Sequence, residues 1–243
     1  MTSAALADEI DSRLRSAGKP ERAEQEKRYL KSALEHYGTS VPATRRVAKA
    51  ALYSQPALAH DDVAALVERL WARPVHECRP AAVDILELSS AVLEAGDLAL
   101  LERLIRESKT WALVDGLAAS VTGPLVERYP ELGAELDRWA QDEDFWVRRS
   151  ALLANLLPLR EGRGDFDRFG RYADAMLGEK EFFMRKAIGW VLRDTSRTRP
   201  ELVYEWLLPR AARASGVTVR EAVKYLSDEQ RDEILAARSR SSG

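Results

Sequence analysis

Apolar side chains recur every three or four residues along most of the chain. Val63, Leu66, Val67 and Leu70 form one such stripe, and Leu98, Leu101, Leu104 and Ile105 form another; both follow the 3.6-residue period of a helix with one buried face. Strict alternation, the mark of a half-buried strand, is hard to find. Breakers divide the pattern at Pro20, Pro42, Pro56, Pro74, Gly96 and Pro130, then at Gly162, Gly164, Gly178 and Gly216. They cut it into about a dozen short helices. Ser40 ahead of Pro42, and Asp61 with Asp62 ahead of Val63, suit helix starts, because short polar side chains satisfy the first free amides. The pattern predicts an all-α protein, one domain over residues 1–238, with a disordered tail over 239–243.

A longer period lies over the helical one. The strings Thr44-Arg45-Arg46-Val47-Ala48, Cys78-Arg79-Pro80-Ala81-Ala82, Val147-Arg148-Arg149-Ser150-Ala151, Met184-Arg185-Lys186-Ala187-Ile188 and Val219-Arg220-Glu221-Ala222-Val223 each place a cation before small and apolar residues. Val114-Asp115-Gly116-Leu117-Ala118 fills the one gap, giving anchors at positions 45, 79, 115, 148, 185 and 220. A period near 35 residues in a helical chain predicts an α-solenoid of about six HEAT-like repeats with a curved, concave surface. In such a stack the anchors share one face. A repeat arginine there can either line that face or tie neighbouring helices together.

Composition narrows the function. The chain has 243 residues with 37 Lys or Arg against 39 Asp or Glu, so bulk electrostatic coating of nucleic acid is excluded and any such role is local. Of the 37 cations, 29 are Arg, the better phosphate ligand. The single cysteine, Cys78, forms no internal disulfide and starts no C-x-x-C motif, which fits a reducing compartment. Asp8 and Glu9 fall where a signal peptide needs cations and then an apolar run, and the longest apolar stretch, residues 151–159, is far short of the ~20 residues that span a bilayer. A cytoplasmic monomer with no membrane role is expected. His36, His60 and His76 match no metal-ligand spacing and read as surface or capping residues, so neither metal nor cofactor is expected. No glycine-rich phosphate loop and no serine nucleophile elbow is present.

Asp115 is the one carboxylate among five arginine anchors. Trp111 lies four residues before it, one turn earlier on the same helix face; Trp146 precedes Arg149 by three residues, and Lys186 precedes Trp190 by four. Trp71, Trp139 and Trp206 read as core, whereas the repeat register sets Trp111 and Trp190 on the anchor face. The segments Lys109-Thr110-Trp111-Ala112-Leu113-Val114-Asp115, Asp144-Phe145-Trp146-Val147-Arg148-Arg149 and residues 180–193 resemble those of the AlkD-like DNA alkylation repair glycosylases. The resemblance covers roughly residues 20 to 226 and includes Arg28-Tyr29-Leu30-Lys31, Pro42 to Arg46, and Arg220 to Lys224.

The resemblance implies a HEAT-like fold that wraps duplex DNA and excises purines alkylated at N3 or N7. It puts Trp111 and Trp190 at aromatic active-site positions, Asp115 at the catalytic acid, Arg149 at an arginine beside the lesion, and Tyr29 near the DNA. Arg45, Arg46, Arg148, Arg185, Lys186, Arg220 and Lys224 are the candidate phosphate contacts. The chain departs from the family pattern at Ala112 and Leu113, where a second aromatic and an acid often follow the first tryptophan. Two other readings stay open: a non-catalytic scaffold that binds DNA or protein, and a glycosylase specialised for bulky adducts. In the favoured mode the DNA backbone is gripped and the damaged base is only partly sequestered.

Overall fold

A computed structural model describes residues 2–240. Among them the chain is helical, with no strand and a single isolated bridge between Glu35 and Val75. They fall into two compact units divided between Asp97 and Leu98.

The first unit contains α1 (Ser3–Ser16), α2 (Pro20–Leu30), α3 (Val41–Tyr53), α4 (His60–Trp71) and α5 (Cys78–Leu88). The stripes seen in the sequence are its core. Helix α1 buries Leu6, Ala7, Ile10 and Leu14, and α4 buries Val63, Leu66, Val67, Leu70 and Trp71. Both helices pack against each other, and α5 packs on α3 and α4. Helix α2 is the exception, since Ala23 is its only buried residue. What holds its surroundings is polar. The buried Glu77 carboxylate accepts the backbone N–H groups of Tyr37, Gly38 and Thr39 at 3.0, 2.6 and 3.2 Å. Gly38 sits at φ 77°, where an added Cβ would lie 2.1 Å from the Lys19 carbonyl oxygen, so only glycine fits this turn.

The histidines depart from the sequence expectation. His60 does sit at a helix start, between Asp61 and Asp97, both 3.0 Å away; their hydrogen bonds lift its pKa to about 8. His36 and His76 instead stack on one another, with ring centroids 4.4 Å apart and planes within 6°. Burial pushes His76 down to about 4. Both are half-buried and paired with each other rather than free at the surface. Cys78 is buried and donates to Asp11 at 3.3 Å; burial pushes its thiol pKa up, so it stays protonated.

The second unit contains α6 (Leu98–Ser108), α7 (Trp111–Asp115), a π-helical segment (Gly116–Thr122), α8 (Gly123–Arg128), α9 (Gly133–Trp139), α10 (Phe145–Leu153) and α11 (Leu156–Arg160). It continues through α12 (Phe166–Met176), α13 (Phe182–Ser196), α14 (Pro200–Leu207), α15 (Gly216–Ala222) and α16 (Asp228–Ser239). Helix α13 is its centre and packs on α10, α11, α14 and α15. Gly189 permits the closest approach, since a Cβ there would stand 2.8 Å from that of Glu221 and 3.0 Å from the Thr218 carbonyl oxygen. Trp139 is core, as expected, and its indole N–H bonds Glu102 at 2.9 Å. Trp206 is only half buried, edge-on to Phe166 and with Arg210 4.7 Å above its ring, so the core reading fails for it. The expected tail overlaps α16 at Ser239, and residues 241–243 lie outside the described residues.

The 35-residue period appears as a ladder of side-chain pairs. Arg106 reaches Asp142, Arg138 reaches back to Glu102, Arg163 to Glu127, Arg160 on to Asp194, and Tyr172 back to Asp137. Each joins positions about one repeat apart in the sequence. No helix of the described residues is long and apolar enough to cross a membrane.

Candidate active site

The site is built at the start of α7. Lys109 adopts a left-handed conformation at φ 49°, which turns the chain so that Thr110 caps the helix, its hydroxyl accepting from the Ala112 N–H at 3.4 Å. Trp111 and Asp115 then stand one turn apart on a five-residue helix. The backbone continues directly into the π-helical segment, a widened turn often found at functional sites. There the Thr122 hydroxyl donates to the Leu117 carbonyl at 2.9 Å. Trp111 is 37% exposed and has no polar partner among the described residues.

Beneath Asp115 lies Arg149, on α10, whose side chain is only 2% exposed. Its Nε and Nη2 donate to the two carboxylate oxygens at 2.8 and 2.9 Å. The third donor, Nη1, makes a short bond to the Phe183 carbonyl oxygen on α13, and the guanidinium carbon lies 5.9 Å from the Phe183 ring centre. This fork-on-fork pairing fixes both the position and the plane of the carboxylate. Asp115 keeps 19% of its side chain exposed. One face of the carboxylate is thus clamped while another faces outward. Trp146, nearly buried, packs between Phe145 and Phe183 at 4.4 and 5.3 Å and walls the arginine.

The expected residues divide into groups. Asp115 and Arg149 come together; Arg149, expected beside the lesion among the DNA contacts, is buried because all its donors point into the protein. Phe183, Lys186 and Trp190 share one face of α13, spaced three and four residues apart, with Lys186 exposed and Trp190 half buried. Lys186, Arg220 and Arg46 are exposed and carry no ion pair among the described residues, and Tyr29 is 72% exposed. Four other cations expected to face phosphate are engaged internally. Arg148 holds Glu179 and the carbonyls of Asp142 and Glu143, Arg185 holds the Glu179 carbonyl, and Lys224 holds Glu221 at 2.9 Å. Arg45 binds Glu87 at 2.6 Å and Asp84 at 2.9 Å. Sequence reasoning missed Phe183 and Thr110; Phe183 follows Arg149 by 34 residues, which is the repeat period.

The Arg45 cluster yields a prediction. Burial raises the Asp84 pKa to about 6 even though Arg45 opposes the shift, so at pH 7 this ionised carboxylate costs more to bury than Arg45 returns. Asp84→Asn is expected to leave the thermal midpoint unchanged or raise it at pH 7. Below pH 6, where Asp84 is already protonated in the folded chain, the difference narrows. A midpoint several degrees lower at pH 7 would show that the Arg45 pair is net stabilising.

The all-helical fold thus presents a clamped carboxylate one turn from an exposed indole. The profile of the DNA alkylation repair enzyme family matches residues 10–226, and the chain belongs to that family. Its fold is shared with a predicted DNA alkylation repair enzyme from Enterococcus faecalis, at TM-score 0.75 and 24% identity over 87% of this chain and 97% of that one. It is also shared with smu.31 from Streptococcus mutans UA159, at TM-score 0.58 and 18% identity over 85% and 98% of the two chains. AlkD2 from Streptococcus mutans aligns at TM-score 0.59 and 19% identity over 83% and 99%. No curated protein matches the sequence.

Proposed function

We propose that the protein is a DNA glycosylase that hydrolyses the N-glycosidic bond of purines made cationic by alkylation at N3 or N7 in duplex DNA, acting as a cytoplasmic monomer. The observation that carries this reading is the Asp115 carboxylate, clamped from below by Arg149 and open on its other side, one turn from exposed Trp111.

The chemistry suits that arrangement. An alkylated, cationic purine already weakens its bond to C1′, so the bond breaks with its electron pair going to the base, which leaves as a neutral alkylpurine. Positive charge then develops on the deoxyribose, as in other oxocarbenium-like cleavages. A carboxylate about 4 Å from that charge contributes on the order of 4 kcal/mol at an effective dielectric near 20, and a guanidinium at about 8 Å opposes it by about 2 kcal/mol. The net, about 2 kcal/mol, corresponds to roughly thirtyfold in rate. Water, oriented by a remaining lone pair on the Asp115 carboxylate, adds to C1′ and gives up its proton to bulk solvent. The indole of Trp111, joined by Trp190, attracts the cationic base or sugar by about 0.5–2 kcal/mol. Lys186, Arg220 and Arg46, with the Tyr29 hydroxyl, bind phosphate oxygens, giving salt-dependent binding with little sequence preference. Leaving-group charge removes the need for a strong general acid, and the step requires no metal.

A hollow of about 660 Å3 lined by Arg106, Lys109, Asp142, Asp144, Phe145 and Trp146, together with exposed Ala112 in place of a second aromatic, supports a second reading with bulkier alkyl adducts. One experiment tests both. Purified protein, incubated with duplexes carrying N7-methylguanine, N3-methyladenine or a bulky N7 adduct, is expected to release free base above the spontaneous rate. Binding to these duplexes with no release from any of them would favour a non-catalytic scaffold.

A further inference from the structure

Glu26 on α2, His36 in the turn after it, and Glu77 at the start of α5 come from three separate segments, yet a donor atom of each lies within 4.8 Å of the others. Both ring nitrogens of His36 are buried and have no hydrogen-bond partner. This is an unusual state for an imidazole, which is normally satisfied on both sides when buried. The cluster is also preorganised. Glu77 is held by the backbone N–H groups of Tyr37, Gly38 and Thr39, immediately after His36, and the His36 ring is fixed by its stack on His76. Arg22 holds Glu26 through one carboxylate oxygen at 2.5 Å, leaving the other available.

Carboxylate oxygens and an imidazole lone pair repel unless something positive lies between them. A proton on His36 would need a nitrogen-to-oxygen contact of hydrogen-bond length, and no such contact is made. A metal ion has a different requirement. Two donors each ~2.1 Å from a common Zn2+ lie about 3.4 Å apart at a tetrahedral angle and about 4.2 Å apart when opposite one another, and the three donor atoms here lie within 4.8 Å of one another. One nitrogen and two carboxylate oxygens suit Zn2+ better than Mg2+ or Ca2+, which favour all-oxygen shells.

We propose that Glu26, His36 and Glu77 form a three-ligand structural site for one Zn2+, completed by water, that pins α2 to the turn at residues 36–39 and to the start of α5. Helix α2 buries only Ala23 and carries Tyr29, so the ion supplies an anchorage that apolar packing does not. The site is separate from Asp115 and independent of the glycosylase reading.

The test is calorimetric titration of the full chain with Zn2+ after chelator treatment and dialysis. One equivalent is expected, with affinity at least ~10-fold lower in Glu26→Gln and His36→Gln and unchanged in His60→Gln, which alters the other histidine–carboxylate group. Hydrogen exchange over residues 20–30 is expected to slow when Zn2+ is added, and the His36 ring resonances of the unmutated chain to shift. Absence of binding, binding undiminished in Glu26→Gln, tighter binding of Mg2+, or a shift confined to His60 would each overturn the proposal. None of these outcomes bears on base excision.

Discussion

Asp115→Asn is expected to slow release of N7-methylguanine from duplex DNA by up to about a thousandfold, because it removes the carboxylate's attraction of about 4 kcal/mol and leaves the opposing Arg149 charge in place. The Kd for the same duplex should change by less than about threefold, because Asp115 acts on charge that exists only as the bond breaks. The substitution has a structural side as well. Arg149 is almost fully buried and loses one of its two carboxylate acceptors, since asparagine keeps a single oxygen toward Nε or Nη2. A stability loss of about 1–3 kcal/mol is expected from the unsatisfied donor. Excision and the unfolding midpoint are therefore measured on the same preparations, at a temperature where both chains are folded. Full excision by a folded Asp115→Asn protein would remove this carboxylate from the mechanism.

The largest expected effect on stability is at Glu77. Its carboxylate, 1% exposed, is the acceptor for three consecutive backbone amides. Glu77→Ala leaves those amides unpaired at about 1–3 kcal/mol each, a sum comparable with the whole stability of a typical domain, about 5–15 kcal/mol. The variant is expected to lose cooperative unfolding of the first unit, followed by hydrogen exchange over residues 1–97. Glu77→Gln keeps one oxygen and should fall between the two. An unchanged denaturation midpoint for Glu77→Ala would mean that the turn at residues 36–39 holds without its cap.

Much of the fold is legible in the chain because burial leaves a local signature. The stripe at Val63, Leu66, Val67 and Leu70 is fully buried, and the proline and glycine breakers fall at helix starts and turns. Asp115 was found as the exception among arginine anchors. Its partner was not found by the same reasoning: the repeat frame aligned Asp115 with Arg148, while the folded chain pairs it with Arg149, one residue further on. A shift of one residue turns a side chain by about 100° around a helix, and only packing against α13 decides which arginine faces inward. The same limit applies to the cations. Arg45, Arg148, Arg185 and Lys224 look like Arg46, Lys186 and Arg220 in the sequence, yet the first group is already engaged; Arg45 and Arg148 spend their charge on carboxylates some thirty to forty positions away. His36 was unreadable for a related reason, since Glu26, His36 and Glu77 belong to no single spacing motif.

The ladder of paired side chains bears on how such a chain can change over time. Its rungs do not share one offset: Arg148 reaches Glu179 31 residues away and Arg45 reaches Asp84 39 residues away. A long guanidinium stem swings to meet a partner displaced by a turn or so, where a shorter side chain would lose contact. Loops between rungs can therefore gain or lose several residues while neighbouring helices stay registered. In an array of repeats, arginine is the compliant joint that lets individual repeats diverge in length, and so lets one of them exchange its cation for the carboxylate of Asp115 while the rest of the stack holds its alignment.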